Sequence, residues 1–148
     1  MLNAKSELKG SSDLLSYEEE QALLAEAKKA LSLSYAPYSN VNVGAALLSR
    51  SGRTYIGANI GNSCSTLNCC AEQAAIIRAV LVKDYPFKAI AVVQSSEGAC
   101  PPCGRCLQLL AEFSDEMVII GLDREGPVRW RLSYLLPVPF RRSESSHQ

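Results

Sequence analysis

Two cysteines three residues apart in Pro101-Pro102-Cys103-Gly104-Arg105-Cys106, and a third in Cys70-Ala71-Glu72, are the residues best suited to chemistry in this sequence. Each group stands at the expected start of a helix. Side chains one helical turn apart can reach a single metal ion. Prolines suit a helix entrance, and the unpaired N–H groups and positive dipole end there favour thiolate over thiol. If the two helix starts converge at the ends of neighbouring strands, three sulfur ligands meet beside a carboxylate. Three sulfurs leave the fourth tetrahedral position of zinc open for water, which separates a catalytic ion from a structural one. Glu72 is then the proton shuttle. The competing reading is a closed four-cysteine site completed by Cys64, Cys69 or Cys100. A glutamate two residues after one ligand, with Pro-Cys-x-x-Cys downstream, weighs toward the open site.

Six cysteines stand against one histidine, His147, which lies in a polar C-terminal stretch, so the chemistry must lean on sulfur and carboxylate. The cysteines fall into two tight clusters, whereas a secreted disulfide framework spreads them through a smaller chain. A reducing cytoplasm is the expected location. Met1 to Gly10 carries Lys5, Glu7 and Lys9 without the apolar run of a signal peptide, and no uncharged apolar stretch is long enough to span a bilayer. Fifteen basic residues cancel fifteen acidic ones, leaving no net field for a polyphosphate or an anionic membrane. The most basic short stretch, Arg129, Arg131, Arg141 and Arg142, is accounted for by a solvated edge strand and tail. Neither nucleic acid nor membrane is an expected partner.

The elements that must position these residues can be traced along the chain. With 148 residues, 47% of them apolar, one domain is expected over residues 16–140, flanked by polar tails at 1–15 and 141–148. Ser16 and Glu19 form a capping box, and Leu23, Leu24, Ala27, Ala30 and Leu31 recur on one helical face. Pro37 then breaks the helix. Val43 to Leu48 and Tyr55 to Ile60 flank Arg50-Ser51-Gly52-Arg53 as a hairpin. From Cys70 a helix apolar on most sides follows, expected to be largely buried. Ala89 to Val93 and Met117 to Leu122 read as covered strands separated by a helix from Cys103 to Phe113. A turn at Asp123 to Gly126, a strand at Val128 to Leu132 and a short segment Tyr134 to Phe140 complete the order. This pattern predicts an α/β architecture, a mixed sheet covered by helices, with a parallel, right-handed strand-helix-strand-helix-strand middle.

Several ordered motifs now resemble the cytidine deaminase family. They are Tyr35-Ala36-Pro37-Tyr38-Ser39, Val43-Gly44-Ala45-Ala46-Leu47, Asn59-Ile60-x-Asn62, Cys70-Ala71-Glu72, Pro102-Cys103-Gly104-x-Cys106 and Leu135-Leu136-Pro137, over about residues 17–140. The resemblance implies an α/β/α sandwich on a mixed five-stranded sheet and Zn2+ on Cys70, Cys103 and Cys106. It also implies Glu72 as the catalytic acid and base, and a homotetramer with sites near subunit interfaces. The implied reaction is hydrolytic deamination of cytidine or deoxycytidine with release of ammonia, in pyrimidine salvage. Substrate contacts fall on Asn59, Ala71, Val41, Gly61 and Phe140, the last matching an aromatic that stacks on the base across an interface. Cys64, Cys69 and Cys100 match no ligand and are expected to be small buried residues. Tyr35, Tyr38 and Trp130 are expected to serve packing or interfaces.

The sequence departs from that family at chosen points. Three thiolates overcompensate a divalent ion, and the arginine that commonly follows Cys-Ala-Glu is here Gln73. Arg105, between the two downstream cysteines, is the candidate for the missing positive charge, as in proteins resembling blasticidin S deaminase. Gly61 replaces a glutamate that holds the ribose 3′-hydroxyl, Val41 a phenylalanine of the pocket, and Ser65 a tyrosine that reaches a neighbour's site. A wider, less ribose-specific pocket follows. Two alternatives therefore stand beside a cytosine nucleoside as substrate: a modified nucleoside such as blasticidin S, or an inactive zinc-binding scaffold. The intact Glu72 argues against the scaffold.

Overall fold

The computed structural model of the chain describes residues 15–142. The segments read as tails, apart from Leu15, Arg141 and Arg142, lie outside the described residues, and so does His147.

Helix α1, Tyr17–Ala30, begins with the expected capping box: Ser16 Oγ accepts the Glu19 N–H and the Glu19 carboxylate accepts the Ser16 N–H. Strands β1, Val43–Ser49, and β2, Thr54–Ala58, pair antiparallel as a hairpin whose turn uses the positive φ of Gly52. Then come α2, Ala71–Leu81; β3, Phe87–Gln94; α3, Gly104–Phe113; β4, Val118–Asp123; β5, Gly126–Arg131; and the single turn α4, Leu132–Leu135.

The sheet order is β2-β1-β3-β4-β5, with β3–β4 the parallel pair and the other three pairs antiparallel. Because β2 and β3 each run antiparallel to β1, both point the same way as β4. The three strands of the middle thus share a direction, as expected, but β1 is inserted between β2 and β3. The hairpin causes this: a tight turn folds β2 back along the outer edge of β1.

Alternation of side chains sorts the strands into two cores. Ala46, Leu48, Ala91, Val93 and Ile120 face α1, whereas Ala45, Leu47, Ile90, Val92 and Ile119 face α2 and α3. Helices cover both faces, giving the α/β/α sandwich. Trp130 is in the second core, a packing residue as expected.

One expectation needs correction. Helix α2 is covered less completely than expected: Ala71, Glu72, Ala75, Ile76 and Ala79 are buried, but Ile77 and Leu81 stay exposed, Leu81 at 78%. The helix carries more apolar surface than one sheet face can cover. Among the described residues no helix is long and apolar enough to cross a membrane.

Candidate active site

Since β2 and β3 run the same way, the helices that follow them, α2 and α3, begin at the same end of the sheet. Cys70 is the N-cap of α2 and Cys103 the N-cap of α3, with Cys106 in the first turn of α3. The three Sγ atoms lie within 4.8 Å of one another. Zn–S bonds of about 2.3 Å close such a span with little contraction. The donor set therefore fits a zinc ion. The convergence spans three strands rather than two neighbours, because β1 separates β2 from β3.

Neither Cys64, Cys69 nor Cys100 joins this cluster among the described residues. The expectation that these three are small buried residues fails for Cys64, which is exposed, and Cys69 and Cys100 are only half-buried. Cys64 sits ahead of a 3-10 turn, Ser65–Leu67, on the exposed loop between β2 and α2, its Sγ 3.1 Å from the Thr66 hydroxyl.

The segment that delivers Cys70 is held by its own backbone. Ile60 and Cys69 exchange N–H···O bonds of 2.9 and 3.0 Å, and Asn68 Oδ1 accepts the Asn62 N–H. Helix α2 is set against the sheet at Gly57, where an added Cβ would lie 2.2 Å from the Ala71 carbonyl oxygen. Ala71, the first residue of α2, is fully buried between Cys70 and Glu72.

Glu72 is 5% exposed. Burial pushes its carboxyl up to about 6; the neighbouring Cys70 anion adds to the rise, and a bond from the Cys106 thiol opposes it. Hydrogen bonding from Cys106, with help from Arg105 and Cys103, pulls Cys70 down to about 5 against its desolvation. The same bond to Cys70, together with burial, pushes the Cys106 thiol up. Burial raises the Cys69 and Cys100 thiols.

Arg105 Nη2 donates to Cys70 Sγ at 3.6 Å, to the Asn68 carbonyl at 3.2 Å and to Gln73 Oε1 at 3.0 Å. Gln73 was singled out in the sequence only for what it lacks. It also accepts the Cys70 N–H at 3.0 Å, the reach-back bond of a capping box with cysteine as N-cap. Cys-x-x-Gln at a helix start was the available signal.

The expected substrate contacts each have structural partners of their own. Asn59 Oδ1 accepts the Val43 N–H and the Ser34 hydroxyl, and its Nδ2 donates to the Val41 carbonyl. Asn59 therefore ties the segment after α1 to the start of β1, and Ser34 is a partner the sequence did not suggest. Gly61 N–H donates to the Tyr35 carbonyl, and a Cβ at Gly61 would lie 3.2 Å from that oxygen. Val41 is half-buried. Tyr35, Tyr38 and Phe140 are exposed, Phe140 at 70%, while both backbone polar groups of Phe140 bond the Gln108 amide at 2.9 Å.

A sandwich that gathers three thiols and a buried carboxylate at two helix starts has the ligand set and the proton carrier of a zinc-dependent hydrolase. Residues 17–122 match the family model of the cytidine and deoxycytidylate deaminase zinc-binding region. The chain belongs to this family of hydrolytic aminohydrolases. It is 40% identical over 129 residues to a cytidine deaminase of Sporosarcina psychrophila, spanning 86% of this chain and 95% of that protein. It is 36% identical over 119 residues to the cytidine deaminase of Mycobacterium tuberculosis, 80% of this chain and 86% of the relative. The crystal structure of cytidine deaminase from Burkholderia pseudomallei superposes with a TM-score of 0.76 at 35% identity, covering 81% of this chain and 98% of that one.

Proposed function

We propose that this protein converts cytidine and deoxycytidine to uridine and deoxyuridine with release of ammonia, holding zinc on Cys70, Cys103 and Cys106. The observation that carries this reading is the approach of those three sulfurs from two helices beside Glu72, with no fourth cysteine among the described residues in the cluster. Zinc held on Cys70, Cys103 and Cys106 would supply Lewis-acid activation of a water. Glu72 takes a proton from the attacking water and passes it to the ring nitrogen N3; it then takes the proton of the newly formed C4 hydroxyl and delivers it to the departing amino group, leaving the C4 carbonyl and ammonia. Its burial beside the thiols supports this role, since a carboxyl near neutrality can both accept and give a proton.

Arg105 offsets the negative charge of the sulfur ligands, a role supported by its contact with Cys70 Sγ. In this reading Asn59 Nδ2 donates its second hydrogen to a sugar hydroxyl, while Ala71, Val41 and Gly61 line the nucleoside pocket. Phe140 stacks on the base in a neighbouring subunit's site. Exposed Phe140, and the open Ile77 and Leu81 on α2, favour assembly, for which a homotetramer is the reading. A cytoplasmic role in pyrimidine salvage is part of this reading, supported by the clustering of the cysteines in the sequence.

Ammonia release from cytidine, deoxycytidine, cytosine and blasticidin S, compared at equal concentration, tests the reading. Cytidine and deoxycytidine are expected to be turned over and the free base poorly. Preference for blasticidin S would overturn the substrate assignment, and inactivity on all four with zinc bound would leave the scaffold reading.

A further inference from the structure

Gln73 makes one oxygen serve two donors. Its Oε1 accepts from the Cys70 backbone and from Arg105 Nη2, each at 3.0 Å, and so joins the N-cap of α2 to a guanidinium carried by α3. Arg105 is an exposed residue in the first turn of its helix, with many rotamers open to it in solvent. The other oxygen holding it is the Asn68 carbonyl, at 3.2 Å. Both acceptors are neutral. They fix the guanidinium 3.6 Å from Cys70 Sγ without cancelling its charge. A carboxylate in the place of Gln73 would hold the arginine equally well and remove its field from the sulfur.

We infer that Gln73 is a positioning residue that sets the Arg105 guanidinium against Cys70 Sγ, and that its neutrality keeps that charge directed at the metal's sulfur ligands. The inference rests on the reading of Arg105 as the charge that offsets the thiolates. Contacts to ligand atoms of this kind tune donor strength and retention of the metal.

The test uses the full chain loaded with Co2+ and reads the sulfur-to-cobalt charge-transfer band, alongside kcat of the zinc-loaded protein on cytidine. A hydrogen bond and positive charge at a thiolate lower its lone-pair energy, so their loss moves the band to longer wavelength. Arg105→Gln and Gln73→Leu are each expected to give that shift and to lower kcat about ten- to a hundredfold. The double variant Gln73→Leu/Arg105→Gln is expected to go no further than Arg105→Gln alone, because Gln73 acts through Arg105. Gln73→Glu keeps an acceptor for both donors and so keeps the helix cap, yet it too should shift the band.

An additive shift in the double variant would overturn the inference, since Gln73 would then act on Cys70 only through its backbone. So would an unshifted band in both Gln73 variants while Arg105→Gln shifts it. An unshifted band in Arg105→Gln itself would instead defeat the underlying reading of Arg105.

Discussion

Gly57 on β2 lies directly under Ala71 on α2: a methyl group in place of its hydrogen would come 2.2 Å from the Ala71 carbonyl oxygen and 2.5 Å from the Ala75 nitrogen. Both opposing atoms are backbone, so no rotamer change relieves the clash. The missing side chain lets α2 sit close enough to the sheet for Cys70 and Glu72 to face the start of α3. Gly44 on β1 allows the same approach to α1 on the other face, where an added Cβ would lie 2.2 Å from the Ala27 carbonyl oxygen.

Gly57→Ala should therefore do more than destabilise. Overpacking of this kind costs about 1–3 kcal/mol, and the displaced α2 carries one of three ligands. Thermal melting and zinc stoichiometry measured on the same sample should both fall. A lowered melting point with full zinc content would mean that the helix start is held by its loop rather than by the sheet.

Glu72→Gln preserves the size of the side chain and removes its capacity to move a proton. Zinc content by atomic absorption should remain that of the unaltered protein. Turnover of cytidine should fall by about a hundred- to ten-thousandfold, the range for a lost general acid and base. Retained turnover would exclude Glu72 as the proton carrier.

Gly61→Glu supplies a carboxylate where the sequence has none. The added Cβ meets the Tyr35 carbonyl oxygen at 3.2 Å, so the segment must yield by only a few tenths of an ångström. Sites built to bind a hydroxyl reject its absence steeply. Discrimination between cytidine and 3′-deoxycytidine, read as the ratio of kcat/KM values, should be small in the unaltered protein and should widen in the variant. An unchanged ratio would show that position 61 does not face the sugar.

At the opposite end of β1, the Asp84 carboxylate accepts from the Ser49 hydroxyl at 2.5 Å, the Tyr55 hydroxyl at 2.6 Å and the Ser51 hydroxyl at 2.8 Å. The Ser49 bond first, then that of Tyr55, hold Asp84 below the usual carboxylate value. A depressed folded-state pKa contributes stability that is present above the unfolded value, about 3.9, and is lost as the pH falls through the folded one. Asp84→Asn should therefore lower the urea midpoint at pH 7, and the gap to the unaltered protein should narrow below about pH 4. A gap constant down to pH 3 would indicate that the carboxylate charge contributes nothing.

The periodicity of the chain was enough to place the elements. The capping box at Ser16, the turn at Gly52 and the covered strands around Ile90 and Ile119 are local patterns, and local patterns survive translation into structure. The ligand set was legible for the same reason: Cys103 and Cys106 are one turn apart, and Cys70 stands at a second helix start. What went unread depends on how distant segments meet. Strand β1 between β2 and β3, the uncovered Ile77 and Leu81, and the exposure of Cys64 follow from packing.

The sequence by itself determined the chemistry available: three thiols, one carboxylate two residues after the first of them, and no histidine to compete within the domain. Tertiary structure alone decided how that chemistry is balanced. Gln73 and Arg105 are 32 residues apart and look unrelated along the chain, one read as the loss of an arginine and the other as a candidate to replace it. Their contact exists because two parallel-running strands start two helices at the same end of the sheet, and because Gly57 lets one of those helices lie close enough for the side chains to touch. Hydrogen bonds act over about 3 Å, and no spacing in a sequence specifies such a distance between separate helices.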